Sequence, residues 1–224
     1  MMLRNLMKLP PLYKKSSFYT PTITGWVLIG FNLSAILLIF LLNVHPYLAK
    51  SAPIGGELLV VEGWQPDYAL KEAARIFSEG NYQLLVSTGG PLDQGSYLLH
   101  FKTYAHLARH SFQKMGIADS LVVAVPAESY RKDRTYQSAV ALKKWLESSE
   151  FSVTKIDLLS LGAHTRRSAM VFGKVLKPQI KVGKISIENA DYDCDKWWKS
   201  SEGVKTVYSA LISLVYTFFF LSSK

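Results

Sequence analysis

Five short apolar runs, each followed by a helical pattern, constrain the fold of this 224-residue chain more than any other feature. The runs have the length of buried strands and cover residues 57–61, 83–87, 121–125, 155–161 and 181–187. The segments that follow place apolar residues at helical spacing, over residues 66–79, 97–115, 135–148, 166–176 and 202–221. Such alternation is typical of a parallel sheet with helices on both faces, so we predict an α/β domain of about five strands.

A long apolar segment near the N-terminus predicts a transmembrane helix. Residues 23–44 lie within a stretch, residues 16–49, that contains no charged side chain, and about 20 apolar residues span a bilayer. Trp26 and Tyr47 lie near its two ends, where aromatic side chains suit the membrane interfaces. The predicted organisation is a basic N-terminus, a span, a linker and an α/β domain, over residues 1–22, 23–44, 45–56 and 57–224.

The charges that flank this span predict its topology. Four basic residues precede it, and only Lys50 closely follows it. By the positive-inside rule, the N-terminus is cytoplasmic and the domain extracytoplasmic, with a single pass through the inner (plasma) membrane. Two alternatives stay open: a cleaved signal peptide, which the small residues Ala49 and Ser51 would suit, and the inverted topology.

The net charge of +9 is unevenly distributed and does not indicate nucleic-acid binding. Residues 1–50 contain five basic and no acidic residues, whereas residues 51–224 contain 21 basic and 17 acidic residues. The domain is therefore only mildly basic, and membrane topology accounts for much of the charge. Because Cys194 is the only cysteine, no intrachain disulfide can form.

Polar residues suited to binding or catalysis fall in the loops that follow the strands. Right-handed crossovers place these loops at one edge of a parallel sheet, and open sheets bind ligands at that carboxyl edge. The predicted ligand-binding residues are Thr88, Gly89, Gly90, Arg134, Thr135, Arg166, Arg167 and Ser168, and the predicted catalytic residues are His164, Asp133 and Glu62. Their convergence on one edge is the strongest functional indication in the sequence.

Positive charge at a predicted helix start indicates an anionic ligand. A helix N-terminus favours anions, and Arg167 there adds a bidentate fork for phosphate or carboxylate. His164 would then act as general acid or base, oriented by Asp133 or Glu62. The alternative is structural: an arginine pairs with one of these acidic residues, and His164 only packs.

The paired glycines after the second strand fit the same hypothesis. Gly89 and Gly90 would let the backbone approach a ligand closely, although a plain tight turn uses the same residue type. Thr135 suits the N-cap of the next helix as well as it suits a ligand. The sequence contains neither a GxGxxG fingerprint nor a P-loop, so no specific nucleotide motif supports the site.

The C-terminal region contains an acidic pattern and an apolar helix. Lys196 occupies the glycine position that an EF-hand requires, so we predict no metal site at Asp191, Asp193, Asp195 and Glu202. We expect Trp197 and Trp198 to cover the core or wall the cleft. Residues 206–221 carry no charge, and we expect a helix docked on the core, with residues 218–220 touching the membrane; a second span is the alternative.

Over about residues 57–216, the chain resembles the YdcF/SanA/ElyC family, a bacterial domain family. The resemblance rests on Glu62-Gly63-Trp64, Thr88-Gly89-Gly90, Arg134-Thr135, Gly162-Ala163-His164, Arg166-Arg167-Ser168 and Trp197-Trp198. It implies a Rossmann-like fold, often behind a membrane anchor, with envelope or peptidoglycan-precursor biology for some members. For a cytoplasmic member it implies a nucleotide-like ligand such as S-adenosylmethionine.

Two positions depart from the pattern of that family. Many members carry Glu early in the helix after the Gly-Gly loop, where this chain reads Lys102-Thr103-Tyr104-Ala105. Many also carry Asn where this chain has Ser138. If those residues perform the chemistry in other members, this chain does not share it.

The sequence predicts a membrane-anchored protein that binds or processes a phosphorylated or nucleotide-like ligand in cell-envelope metabolism. The expected partners are the lipid bilayer and a small anionic or lipid-linked ligand. A non-catalytic, membrane-tethered ligand-binding or scaffold protein is the alternative. The substrate, the reaction, any S-adenosylmethionine or other nucleotide cofactor, and the oligomeric state stay open.

Overall fold

The computed structural model describes residues 20–95, 97, 100–128 and 132–221. These residues divide into two units, with the boundary between residues 40 and 41. The first unit contains most of helix α1 (Ile23–Leu48). By length and composition, α1 is long and apolar enough to cross a membrane, as predicted. The helix extends past the predicted end at Val44 and includes Pro46 in its last turn. Most of the predicted basic N-terminus, residues 1–19, lies outside the described residues.

The second unit alternates strands and helices as the sequence predicts. Its elements are β1 (Leu58–Glu62), α2 (Asp67–Glu79), β2 (Leu84–Gly89), α3 (Tyr104–Lys114), β3 (Val122–Pro126), α4 (Arg134–Ser148), β4 (Lys155–Leu161), α5 (Thr165–Leu176), β5 (Lys181–Ile187) and α6 (Ser201–Phe220). All five strands pair in parallel, in the order β3-β2-β1-β4-β5. The predicted α/β, Rossmann-like architecture is therefore confirmed.

Helices cover both faces of this sheet because alternate strand residues point to opposite sides. In β1, Leu58 and Val60 pack into a cluster with residues of α4 and α5. Their neighbours Leu59 and Val61 pack into a second cluster with residues of α2 and α3. These four apolar side chains are all fully buried, which explains why the strand reads as a continuous apolar run.

The strand order creates a crevice at the carboxyl ends of β1 and β4. From β1 the chain adds β2 and then β3 on one side; the next crossover returns to the other side of β1 and adds β4. Helices on either side of this point pack on opposite faces, and open sheets bind ligands at such a switch point. The register pairs Val61 with Leu159, so Glu62 and Ser160 follow as neighbours at the crevice.

The N-cap positions of α3 and α4 differ from the prediction by more than one residue. The helix predicted over residues 97–115 begins only at Tyr104, because Thr103 is its N-cap and its side chain accepts a hydrogen bond from His106 N. The prediction of Thr135 as N-cap of α4 was also wrong, since Asp133 holds that position and Thr135 lies in the first turn. Asp133 adopts φ 55°, a left-handed conformation that Asp tolerates better than most residues.

The compact α/β unit begins at Leu41, well before the predicted boundary at residue 57. The last turns of α1 belong to it, and Val44 and Leu48 are buried in its core. The buried indole of Trp197 donates from Nε1 to the carbonyl oxygen of Leu41 at 2.9 Å. Trp197 therefore covers the core, one of the two roles predicted for it.

The predicted linker is fixed to the sheet rather than free. Ala52 forms an antiparallel bridge with Lys184 in β5. The fully buried carboxylate of Asp157 accepts hydrogen bonds from Ile54 N at 2.8 Å and Gly56 N at 2.9 Å. These contacts attach the chain that leaves α1 to the edge of the sheet before β1 begins.

Candidate functional site

A cleft of about 510 Å³ opens at the carboxyl edge of the sheet, beside the ends of β1, β2 and β4. Most of the residues predicted from the sequence line it, namely Glu62, Gly89, Gly90, Asp133, Arg134, Thr135, His164, Arg167 and Ser168. These residues come from four separate loops and helix starts. The topology therefore brings together side chains that are more than 100 residues apart in the chain, such as Glu62 and Ser168.

Two predicted ligand-binding residues do not line the cleft. Thr88 is fully buried within β2, where its hydroxyl donates to the carbonyl oxygen of Val61 at 3.4 Å. Arg166 turns away toward the end of α1: its Nε donates to Tyr47 O at 2.6 Å, and its guanidinium lies 3.7 Å from the centre of the Tyr47 ring. Of the two adjacent arginines, the structure places only Arg167 at the cleft.

The carboxylate of Glu62 forms part of the cleft wall while only 2% of the residue is exposed. Its Oε2 atom accepts hydrogen bonds from Ser160 Oγ at 2.6 Å and from Ser168 Oγ at 2.9 Å. Ser160 lies on β4 and Ser168 lies in the first turns of α5, so the carboxylate connects three elements. These hydrogen bonds compensate part of the cost of burying a charged group and fix its position.

His164 lies in the turn between β4 and α5 and lines the same cleft as Glu62. The turn is a short 3-10 helix that begins at Gly162, whose φ of +46° favours glycine. The imidazole makes an edge contact with the indole of Trp64, with ring centres 5.7 Å apart. Burial lowers the pKa of His164; the charge of Arg167 lowers it further and that of Glu62 opposes the change. The ring is therefore mainly neutral near pH 7 and retains one acceptor nitrogen.

Arg167 reaches the cleft without a carboxylate partner among the described residues. Its Nε donates to Thr217 Oγ1 at 3.2 Å, and its Nη1 donates to Thr135 Oγ1 at 3.3 Å. Both partners are neutral hydroxyl groups, so they position the guanidinium without forming an ion pair with it. A guanidinium has five N–H donors, and the others are available for a ligand.

Arg134 has a different partner from those considered in the sequence. It pairs with Asp93 at 2.6 Å, rather than with Asp133 or Glu62, and more than half of each side chain is exposed. An exposed pair of this kind contributes about 0–1 kcal/mol, so a ligand anion can replace Asp93 at little cost. Asp133 also lines the cleft, beside Arg134.

The cleft includes residues that were not predicted as site residues, namely Trp64, Pro91, Asp93, Tyr104 and Ser138. Gly63, between Glu62 and Trp64, could have indicated from the sequence that Trp64 and Tyr104 lie close to this loop. A Cβ atom built on Gly63 would lie 2.5 Å from Tyr104 O, so the chain needs glycine where the β1 loop meets the start of α3. Asp93 lies in the loop between β2 and α3, and Tyr104 follows that loop, whose course the sequence pattern does not predict.

The cleft brings together an arginine, an imidazole and a buried carboxylate, which are groups that can hold an anion and move a proton. Among the described residues, no group of three or more His, Cys, Asp or Glu side chains is arranged to hold a metal ion. The half-buried Cys194 lies outside the cleft, and burial raises the pKa of its thiol. It therefore lacks the thiolate character of a nucleophile.

Comparison of the sequence with protein-family models and with curated proteins finds no match.

Proposed function

We propose that this chain is a membrane-anchored, YdcF-like protein that binds a phosphorylated or nucleotide-like ligand in the carboxyl-edge cleft and acts on it in cell-envelope metabolism. The observation that carries the proposal is Arg167, a cation at the cleft whose described partners are only hydroxyl groups. The other cleft arginine is paired, and the buried carboxylate of Glu62 already accepts two hydrogen bonds. An anionic ligand at Arg167 would compensate its charge.

The neighbours of Arg167 support a role for the cleft in chemistry as well as in binding. His164 is mainly neutral near pH 7, the form in which an imidazole can accept a proton from a ligand hydroxyl or water. Glu62 lies close enough that its charge partly offsets the lowering of the pKa of His164 by burial. Gly89 and Gly90 also line the cleft, and without side chains they let a bulky ligand approach the main chain.

The envelope location in this proposal draws on the membrane helix and on the motif resemblance. Helix α1 is long and apolar enough to span a bilayer, and basic residues precede it. In this topology the cleft stays near lipid-linked substrates on the extracytoplasmic side. A nucleotide or S-adenosylmethionine is a ligand class that the resemblance suggests.

Ligand titration of the full chain in lipid nanodiscs tests the proposal. Inorganic phosphate, adenosine monophosphate and S-adenosylmethionine serve as probes, and calorimetry measures affinity. Arg167→Met should weaken binding of the probe that binds best about 10- to 100-fold, because a hydrogen bond to a charged group contributes about 1.5–3 kcal/mol. Arg75→Met is the matched control, since Arg75 lies on α2 and pairs there with Glu72 and Glu79. Equal affinities for the parent and Arg167→Met would refute the anion site.

Substitution of His164 separates an enzyme from a binding protein. If the protein is an enzyme, His164→Gln keeps ligand affinity within about threefold of the parent and abolishes complementation of a strain that lacks the gene. If it is a non-catalytic binding or scaffold protein, the same variant complements fully. Arg167→Met fails to complement in either case.

A further inference from the structure

Helix α6 has two apolar faces, and the α/β unit covers only one of them. Gly203, Val207, Ala210, Leu214 and Thr217 are buried. On the other side, the residues Tyr208, Ile212, Val215, Tyr216 and Phe219 form a stripe, which we call the α6 stripe.

The α6 stripe is continuous and apolar along the helix. Its residues follow each other at helical spacing, and each is between 44% and 67% exposed. No charged residue occurs from residue 206 to residue 221, so no charged side chain interrupts the stripe. Contiguous exposed apolar surface of this kind marks an interaction site.

The contacts at the start of α6 indicate a bilayer as the occupant. Trp197 is in edge contact with Tyr208, the first residue of the stripe, at 5.9 Å between ring centres. The same indole donates to the carbonyl oxygen of Leu41. Leu41 belongs to the apolar segment, residues 23–44, that is predicted to lie in the membrane. Through Trp197, the first residue of the stripe is therefore connected to a segment that is itself apolar enough for lipid. The two tyrosines of the stripe, Tyr208 and Tyr216, suit the membrane interface.

The contacts near the end of α6 argue against a second membrane span. Thr217 accepts a hydrogen bond from Arg167 Nε through its hydroxyl, and its carbonyl oxygen accepts one from Lys174 Nζ at 3.2 Å. Arg167 and Lys174 belong to α5, which packs on the sheet. A helix that crossed the bilayer would have to give up these contacts and its buried face, whereas a helix lying on the membrane surface keeps them.

We propose that the α6 stripe rests in the boundary between headgroups and acyl chains, as a second membrane contact in addition to α1. Amphipathic helices of this length bury an apolar face about 5–10 Å into that boundary while their other face stays out of the lipid. In this protein the other face is the one that packs on the α/β unit. The proposal rests on the membrane anchorage proposed above for α1, and it does not depend on the ligand of the cleft.

Spin labels on the full chain in phosphatidylcholine–phosphatidylglycerol vesicles test this contact. In a Cys194→Ser background, a nitroxide is attached to Ile212→Cys, Phe219→Cys or the control Ser120→Cys, which is exposed just before β3. Collision with oxygen reports lipid, and collision with a water-soluble nickel complex reports water. Variants enter the comparison when their thermal unfolding matches that of the parent.

We expect oxygen to reach the labels at Ile212 and Phe219 much more readily than nickel does, at a similar shallow depth, and the reverse at Ser120. Three results would overturn the proposal. Ready access of nickel to both stripe labels would place the stripe in water. Exclusion of both reagents would mean that a protein, including a second copy of this chain, covers it. The two labelled positions are about 10 Å apart along the helix axis. A difference of about 10 Å in their depth in the bilayer would therefore indicate a helix that spans it.

Discussion

Replacement of Glu62 by methionine tests whether the cleft is built around the buried carboxylate. Methionine has a similar volume but no acceptor, so water cannot simply take the place of the carboxylate. The hydroxyls of Ser160 and Ser168, which donate at 2.6 and 2.9 Å, would lose their acceptor. Each buried donor left unpaired costs about 1–3 kcal/mol, and the apolar contacts of methionine offset part of this. We expect a net loss of about 2–4 kcal/mol.

Thermal unfolding of the full chain in detergent micelles, followed by tryptophan fluorescence, measures the loss. A unit of this size changes its melting temperature by about 2–4 °C per kcal/mol, so the expected decrease is roughly 4–16 °C. Glu62→Gln is the matched control, because it keeps an acceptor oxygen and should lose less than about 1.5 kcal/mol.

The serine partners provide a second, sharper control. When both serines are changed to alanine in the Glu62→Met background, no donor is left unpaired, and most of the lost stability should return. The reasoning is refuted if Glu62→Met unfolds within about 0.5 kcal/mol of the parent, or if the two alanine changes add to the loss instead of reducing it.

Three further predictions concern the cleft and the edge of the sheet. The pKa of His164 in the folded protein is lower than the ordinary value of 6.5. The contribution of His164 to the free energy of unfolding is therefore full above pH 6.5 and is lost as the pH falls from 6.5 through the folded pKa. The parent should therefore lose stability on acidification from about pH 7 to about pH 5, by an increment that is absent from His164→Gln. In an NMR titration of the imidazole, Arg167→Met should raise the pKa of His164 and Glu62→Gln should lower it, and shifts in one common direction would contradict the assigned charges. Gly183→Ala should destabilise the fold by about 1–3 kcal/mol in thermal unfolding, because its Cβ would lie 2.0 Å from Asp157 Oδ1, and an unchanged melting temperature would show that the site adapts freely.

Local sequence pattern predicted the elements of this fold well, but not their arrangement. The runs at residues 155–161 and 181–187 match β4 and β5 residue for residue. β4 is buried at six of its seven positions and is mostly apolar, whereas β5 lies at the edge of the sheet and is buried only at Gly183 and Ile187. Nothing in such a run says which other strand it pairs with. The placement of β4 beside β1 depends on the path of the crossover, and that placement creates the crevice.

The candidate site was predictable in part, at residues that end a strand or lie in the turn after it. Glu62 ends β1 and His164 lies in the turn after β4, and the structure brings both to the cleft, whereas Thr88 is buried within β2. The roles of Arg166 and Arg167 were not separable from sequence, because adjacent residues at a helix start point in different directions and only the packed neighbours decide which one reaches the cleft. Asp93 was missed because it lies in an irregular loop.

The hydrogen bonds of Glu62 also determine when the site can appear during synthesis. Glu62 is separated from Ser160 by 98 residues and from Ser168 by 106 residues. A growing chain that has completed β1, β2 and β3 therefore contains this carboxylate without either of its partners. The cleft forms only after β4 and the first turns of α5 have left the ribosome, and contacts this distant in sequence form slowly. A chain truncated before residue 155 would contain the segments of only three strands and would lack both serine partners of Glu62.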